Sequence, residues 1–141
     1  MPATSDTGLT PARQAMLRRE VGLLRRRESR RVFDTCVNVG IVGGPRACFV
    51  IPARDLPAVD VALRTDVVSA LLEETPAEWR TTWLARAGTP EQHDLDLQWL
   101  AAARTAFGMV DRPLEACYAV TRTGWRDVLT GERRVWVRLR L

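Results

Sequence analysis

Apolar residues recur at helical spacing in three segments of the chain. Each segment opens on residues that favour a helix start, such as Thr10 followed by Pro11, which are typical of an N-cap and a first helical position. We predict helices over Pro11 to about Glu28, from an Asp55 cap to Pro76, and from the Thr89-Pro90 cap to Gly108. The apolar stripe of the first helix is narrow, so we expect one packed face with arginines over the rest.

Five other segments alternate apolar and polar residues with a period of two, which is typical of half-buried strands. These predicted strands are Val32–Ile41, Ala47–Ile51, Trp79–Ala85, Leu114–Arg122 and Arg133–Leu141. The first two flank the turn Gly43-Gly44-Pro45 and predict an antiparallel hairpin. The glycine-containing segment from Thr123 to Glu132 is predicted to be a loop.

The resulting order, α-β-β-α-β-α-β-β, predicts an α/β fold with a mixed five-stranded sheet flanked by helices. The third strand lies between two helices and is expected to be the central, parallel member. We assign residues 11–141 to one domain, since 141 residues are enough for a single hydrophobic core. Residues 1–10 are small and polar and are predicted to be a flexible arm.

Composition narrows the class of protein. Hydrophobic residues at 46% and charged residues at 27% exclude a disordered or fibrous chain. No apolar run is long enough for a membrane span, so we expect no membrane partner. Cys36, Cys48 and Cys117 form no paired motif and lie in apolar stretches, which predicts buried, reduced thiols, little nucleophilic reactivity and a cytoplasmic location. The chain contains arginine but no lysine, which we attribute mainly to the codon usage of a high-GC bacterium.

Charge is distributed unevenly along the chain. Residues 11–31 carry eight arginines against two glutamates, and residues 122–141 carry six arginines against two acidic residues. Residues 32–121 carry seven arginines against twelve acidic residues. The basic ends are predicted either to bind an external polyanion or to pair with the acidic middle of the same or a neighbouring chain.

The C-terminal strand carries the main functional hypothesis. Valines and leucines are expected on its buried face, and an Arg-Trp-Arg-Arg stripe on the other face, made of Arg134, Trp136, Arg138 and Arg140. Arginines bind phosphates and an aromatic ring stacks on bases, a combination typical of single-strand nucleic-acid binders. Together with the first helix, and in particular Arg18, Arg19, Arg25 and Arg26, this stripe predicts a non-catalytic binding or regulatory module for nucleic acid.

Two alternatives stay open. Arg86, His93, Asp94 and Asp96 lie around the start of the third helix and could form the polar site of an enzyme. Carboxylates in a first helical turn are also explained by the helix dipole, and one histidine without paired cysteines predicts no metal and no cofactor. The other alternative is an interaction subunit or homo-oligomer, in which the first helix docks a protein partner through Leu17, Val21 and Leu24.

A resemblance bears on the enzyme hypothesis. The strand end Leu84-Ala85-Arg86-Ala87-Gly88, followed by the helix start Thr-Pro-Glu-Gln-His-Asp, resembles the RadC-like branch of the JAB metalloprotease-like families, over about two-thirds of the chain. That resemblance implies a His-x-His pair where this sequence has Ala85 and Ala87, leaving Asp94 or Asp96 for the acidic ligand. It therefore implies the fold without the metal site or the isopeptidase reaction. The ending around Thr121–Asp127 also resembles small proteins of high-GC bacteria that bring no activity with them.

Overall fold

The chain forms a mixed sheet with helices on both faces, in a computed structural model that describes residues 9–137. Along the chain the elements are α1 (Pro11–Arg27), β1 (Thr35–Gly40), β2 (Arg46–Ile51), a 3-10 helix (Ala53–Ala58), α2 (Val61–Glu73), β3 (Thr81–Ala85), α3 (Asp94–Met109), β4 (Ala116–Thr121), β5 (Gly124–Asp127) and β6 (Arg133–Val135). The strand order is β2-β1-β3-β4-β5-β6. β3 and β4 are parallel and every other neighbouring pair is antiparallel, so the expected parallel central strand is confirmed.

α1 begins and ends where its sequence predicts. The side-chain oxygen of Thr10 accepts a hydrogen bond from the backbone N–H of Arg13 at 3.1 Å, which satisfies one of the free donors at the helix start. Three arginines occupy the last turn, where positive charge interacts favourably with the helix dipole. The backbone turns extended at Glu28, which ends the helix.

Two apolar cores lie on opposite faces of the sheet. On one face, α1 alone packs Leu17, Val21 and Leu24 against large aromatic side chains of β3, β4 and β5. On the other face, α2 and α3 pack together against Val37, Leu84 and their neighbours. The prediction of helices flanking a sheet is therefore confirmed, and the layers are α1, the sheet, and the pair α2 and α3.

A buried ion pair attaches α1 to the first hairpin. The Glu20 side chain is 1% exposed and accepts hydrogen bonds from the Gly43 backbone N–H at 2.8 Å and from Arg46 Nη2 at 2.7 Å. The Arg46 guanidinium also lies over the Trp83 ring, 4.9 Å from its centroid. One of the two glutamates in the basic N-terminal segment is thus used inside the fold.

Two helix starts differ from the sequence prediction. Asp55 lies inside the 3-10 helix, and Asp60 caps α2 instead, because the backbone is extended at Val59 before the helix begins. The Thr89-Pro90 signal does not start α3, whose cap is His93. The Arg86 guanidinium binds the carbonyls of Ala87, Thr89 and Glu91, and this tertiary contact holds the segment in a non-helical path.

The sheet has six strands in the described part of the chain, not the predicted five, because part of the predicted loop at 123–132 is β5. Gly124 is the reason for the error. A Cβ at this position would lie 2.0 Å from the carbonyl oxygen of Arg134, so the glycine marks close approach of two paired strands rather than a loop. Trp125, on β5, is consequently buried beside Tyr118.

The predicted buried face of the last strand is also wrong where the structure describes it. Val135 is 46% exposed and Val137 is 97% exposed, whereas Trp136 packs partly against the core under α1. The reason is that β6 is an edge strand and α1 contacts the neighbouring β5 on the Trp136 side. Residues 138–141 of the predicted strand lie outside the described residues.

Candidate nucleic-acid interface

Trp136 lies between two arginines that come from opposite ends of the chain. The guanidinium carbon of Arg134 is 5.4 Å from the Trp136 ring centroid, and that of Arg18, on α1, is 5.9 Å from it. The Trp136 backbone N–H donates a hydrogen bond to the carbonyl of Thr123 at 2.8 Å, which fixes the ring beside the β4–β5 turn. A surface cavity of about 180 Å³ opens here, lined by Gln14, Ala15, Arg18, Trp125, Arg134 and Trp136.

The rest of the basic helix continues this surface. Arg25 lies seven residues after Arg18, about two helical turns, so both point to the same side of α1. Arg25 donates a hydrogen bond to the Arg122 carbonyl at 3.0 Å, beside the same turn. Arg19 and Arg26 have the same spacing and are exposed along the neighbouring side. We call Arg18, Arg19, Arg25, Arg26, Arg134 and Trp136 the basic face.

Acidic partners for the basic face are scarce in residues 9–137. The ion pairs in this part of the chain use Arg13, Arg46, Arg54, Arg80, Arg86 and Arg133, and none uses Arg19, Arg25, Arg26 or Arg134. Six acidic residues against two arginines occur in residues 53–78, and α2 within that segment covers the opposite face of the sheet. The fold therefore separates the acidic stretch 53–78 from most of the basic face. Elsewhere the acidic middle of the chain does pair with its basic ends, through Arg13 with Glu115 and Arg133 with Glu91.

Of the eight residues predicted to contact nucleic acid, the structure brings Arg18 and Arg134 beside Trp136, with guanidinium carbons 5.9 and 5.4 Å from its ring centroid. Arg19, Arg25 and Arg26 follow along the same helix. Arg138 and Arg140 lie outside the described residues.

The predicted polar site is divided by the structure. Arg86 and Asp96 are 3% and 2% exposed and form a two-pronged ion pair, with Nε to Oδ1 at 2.7 Å and Nη2 to Oδ2 at 2.8 Å. His93 and Asp94 are exposed, and the His93 Nδ1 atom accepts the Leu95 backbone N–H at 3.1 Å as the helix cap. Arg86 and Asp96 thus stabilise a loop and a helix start, and His93 has a separate capping role.

The thiols differ in exposure. Burial raises the pKa of Cys117 to about 12 and also raises the pKa of Cys36, which keeps both protonated at neutral pH. Cys48 is exposed, which corrects the prediction that all three cysteines are buried. Cys48 lies on the edge strand β2, on the same side of the sheet as α1. It stays exposed because α1 covers β4 and β5 and does not extend over β2.

The docking hypothesis for the first helix is also corrected. Leu17 and Val21 are 0% exposed and Leu24 is 1% exposed, because α1 packs on its own sheet. These side chains are not available to a protein partner.

Residues 9–137 contain neither a cluster suited to a metal ion nor a helix suited to a membrane span. No cluster of three or more histidine, cysteine or acidic side chains there has a geometry that could hold a metal ion. No helix in the same residues is long and apolar enough to cross a membrane.

Sequence reasoning missed Arg122 and Thr123, which form the two-residue turn between β4 and β5. The turn supplies the carbonyls that bind Arg25 and the Trp136 backbone. A usable signal was present: Arg122 directly follows an apolar strand, at the carboxyl end where α/β sheets place functional side chains.

Comparison with protein-family models, curated proteins and solved structures finds no match to this chain. The resemblance to the RadC-like family accordingly stays a prediction from the sequence.

Proposed function

We propose that this chain is a non-catalytic module that binds single-stranded nucleic acid through the basic face. The observation that supports this most directly is the Trp136 ring flanked by Arg18 and Arg134. Aromatic rings beside arginines are how sequence-tolerant single-strand binders hold bases and phosphates together.

The two guanidiniums beside Trp136 are not tightly stacked on its ring. Both guanidinium carbons lie 5.4 Å or more from the ring centroid, farther than the ~3.5–4.0 Å of direct stacking contact. A base that stacks on Trp136 would move a guanidinium sideways toward the adjoining phosphate, where its planar fork matches the phosphate oxygens. Arg25 and Arg26 would then follow the strand along α1.

The proposal gives a definite salt dependence. Each phosphate neutralised on a single strand contributes about −0.7 to the slope of log affinity against log salt concentration. Four contacts, from Arg18, Arg25, Arg26 and Arg134, would give a slope of about −3. Trp136 contributes no counterion release, so its removal should weaken binding at every salt concentration without changing the slope.

The test is fluorescence anisotropy with labelled single-stranded DNA and RNA that carry 5′-hydroxyl ends. Arg134→Gln should flatten the slope by about 0.7, while Arg54→Gln should not, because Arg54 is exposed beside Asp55 in the acidic segment. Trp136→Ala should cost about 1–3 kcal/mol of affinity, and Val135→Ala, its exposed neighbour, should cost nothing measurable. Absence of binding to either nucleic acid at low salt would refute the proposal.

A cytoplasmic location belongs to the same proposal. Cys36, Cys48 and Cys117 are free thiols, and a protein with an exposed thiol such as Cys48 suits a reducing compartment. Fractionation of cells that express the tagged chain tests this assignment.

A further inference from the structure

A second cavity lies at the edge of the sheet where β3 and β4 end. It has a volume of about 350 Å³ and is lined by Arg31, Phe33, Gly88, Thr89, Arg122 and Thr123. Gly88 and Thr89 follow β3, and Arg122 and Thr123 follow β4, so the cavity opens beyond the carboxyl ends of the two parallel strands. Ligands of open α/β sheets bind in the crevice at this position.

The lining is positively charged. It contains two arginines and no acidic residue. A third guanidinium, that of Arg25, lies next to it and donates to the Arg122 carbonyl at 3.0 Å. Such a cavity favours an anion, because neighbouring like charges are stabilised when an opposite charge enters.

Arg122 supplies an independent sign of a missing partner. Its Nε atom is buried and, within the described residues, has no hydrogen-bond acceptor. A buried donor on a charged group is costly when it is left unpaired, so such groups nearly always have an acceptor. The Nε donor of Arg122 thus lacks an acceptor, which a ligand oxygen beside this cavity-lining side chain would supply.

We propose that this cavity is a binding site for a phosphomonoester group, held by Arg122 and Arg31. Guanidinium forks bind phosphate oxygens in pairs, and a doubly charged phosphomonoester uses two such forks better than a singly charged diester does. The volume is at the lower end of small-molecule sites, which limits the ligand to about the size of a mononucleotide. The site needs none of the stacking on Trp136 that the proposed function requires.

Two sources can present this group, a free mononucleotide and the phosphorylated end of a strand. The cavity lies next to Trp136, since the carbonyl of Thr123, which lines the cavity, accepts a hydrogen bond from the Trp136 backbone N–H. A strand whose bases stack at Trp136 could therefore place its terminal phosphate in the cavity.

The test is a titration of ¹⁵N-labelled protein with inorganic phosphate and with adenosine 5′-monophosphate, followed by NMR. We expect saturable shifts at the Arg122 Nε–H and at the backbone amides of Thr89 and Thr123. Arg122→Gln and Arg31→Gln should each weaken binding at least tenfold. The control Arg54→Gln removes an exposed arginine that lies outside both the cavity and the basic face, and it should change the affinity less than twofold. Thermal melting checks that each variant is folded.

The outcomes separate the site from the proposed function. Shifts that do not saturate, or binding that weakens equally in Arg54→Gln, would overturn the phosphate site. A saturable site together with no binding of 5′-hydroxyl oligonucleotides supports the site and rejects the proposed function. A 5′-phosphate that tightens oligonucleotide binding at least fivefold, and loses this effect in Arg122→Gln, assigns the strand end as the source. Saturation by the mononucleotide without that gain assigns the free small molecule.

Discussion

Asp96→Ala should lower the free energy of unfolding by about 3–5 kcal/mol. The substitution removes both oxygens that bind Arg86 and leaves a guanidinium charge at a site where Arg86 is 3% exposed. Breaking a buried ion pair from one side carries a penalty of this size, because the remaining charge has lost its water and no longer has an opposite charge beside it.

Arg86→Met should cost more than Asp96→Ala. It leaves the Asp96 carboxylate unpaired, at about 3–5 kcal/mol, and it also removes the donors to three backbone carbonyls in the loop after β3. Each lost hydrogen bond adds about 1 kcal/mol, which gives a total of about 6–8 kcal/mol. A domain of this size is stable by about 5–15 kcal/mol, so Arg86→Met should fold marginally or not at all at 25 °C.

Urea unfolding followed by tryptophan fluorescence measures these differences. Arg133→Met is the matched control, because Arg133 pairs with Glu91 at the surface, where both side chains are about half exposed. It should cost less than about 1 kcal/mol. The double variant Arg86→Met with Asp96→Ala should be less destabilised than the sum of the two single variants, because no buried charge of this pair remains.

Three results would refute this reasoning. One is an Asp96→Ala variant as stable as the control. Another is an Arg86→Met variant that loses no more stability than Asp96→Ala. The third is strict additivity in the double variant, which would show that the two side chains do not act as a pair.

Three further predictions concern glycines and thiols. Gly108→Ala should raise the free energy of unfolding by about 0.5–1 kcal/mol, because nothing lies within 4 Å of the new Cβ. Gly124→Ala should instead lower the free energy of unfolding and expose the β5–β6 amides to hydrogen exchange. A disulfide reagent should label Cys48 in the folded protein and Cys117 only after unfolding, so rapid labelling of Cys117 would contradict its burial. Since burial raises the pKa of Cys117 to about 12, only the unfolded state loses this proton as the pH rises above 9.0. This thiol should therefore lower the free energy of unfolding by up to about 1.4 kcal/mol per pH unit. Cys117→Ala should show a smaller slope than the parent protein, and the slope that remains comes from Cys36 and Tyr118, whose pKa values burial also raises.

Local signals predicted the parts of the fold that local interactions decide. The Thr10 cap, the first hairpin and the central parallel strand follow from residues that are neighbours in sequence or from general rules of chain connection. The starts of α2 and α3 were wrong for a different reason. Thr89 carries a good capping signal, and the Arg86 guanidinium, held by Asp96, overrides it through a contact that no local pattern contains.

The candidate site was predicted in its composition but not in its geometry. The alternation of apolar and polar residues in the last strand correctly predicted that Arg134 and Trp136 share one face of it. It wrongly predicted that this face is open to solvent, since Trp136 packs partly against the core. Contact between Trp136 and Arg18 depends on which face of the sheet α1 covers, and the sequence pattern of α1 is compatible with either face. The cavity beside Arg122 depends on the same placement together with the β4–β5 turn, whose glycine was interpreted as a loop signal.

The packing of α1 has a consequence for synthesis on the ribosome. α1 is made first, yet it packs on β4 and β5, and its contact between Arg13 and Tyr118 joins residues 105 positions apart. At about 5–20 residues per second, the apolar stripe of α1 waits roughly 5–20 seconds for its partner strands to emerge. The other face of the sheet needs less waiting, because α2, α3 and all of the strands they cover except β4 are synthesised before β4. Nascent chains arrested before β4 should therefore expose Leu17, Val21 and Leu24 to chaperones, and release of the final strands should end that exposure.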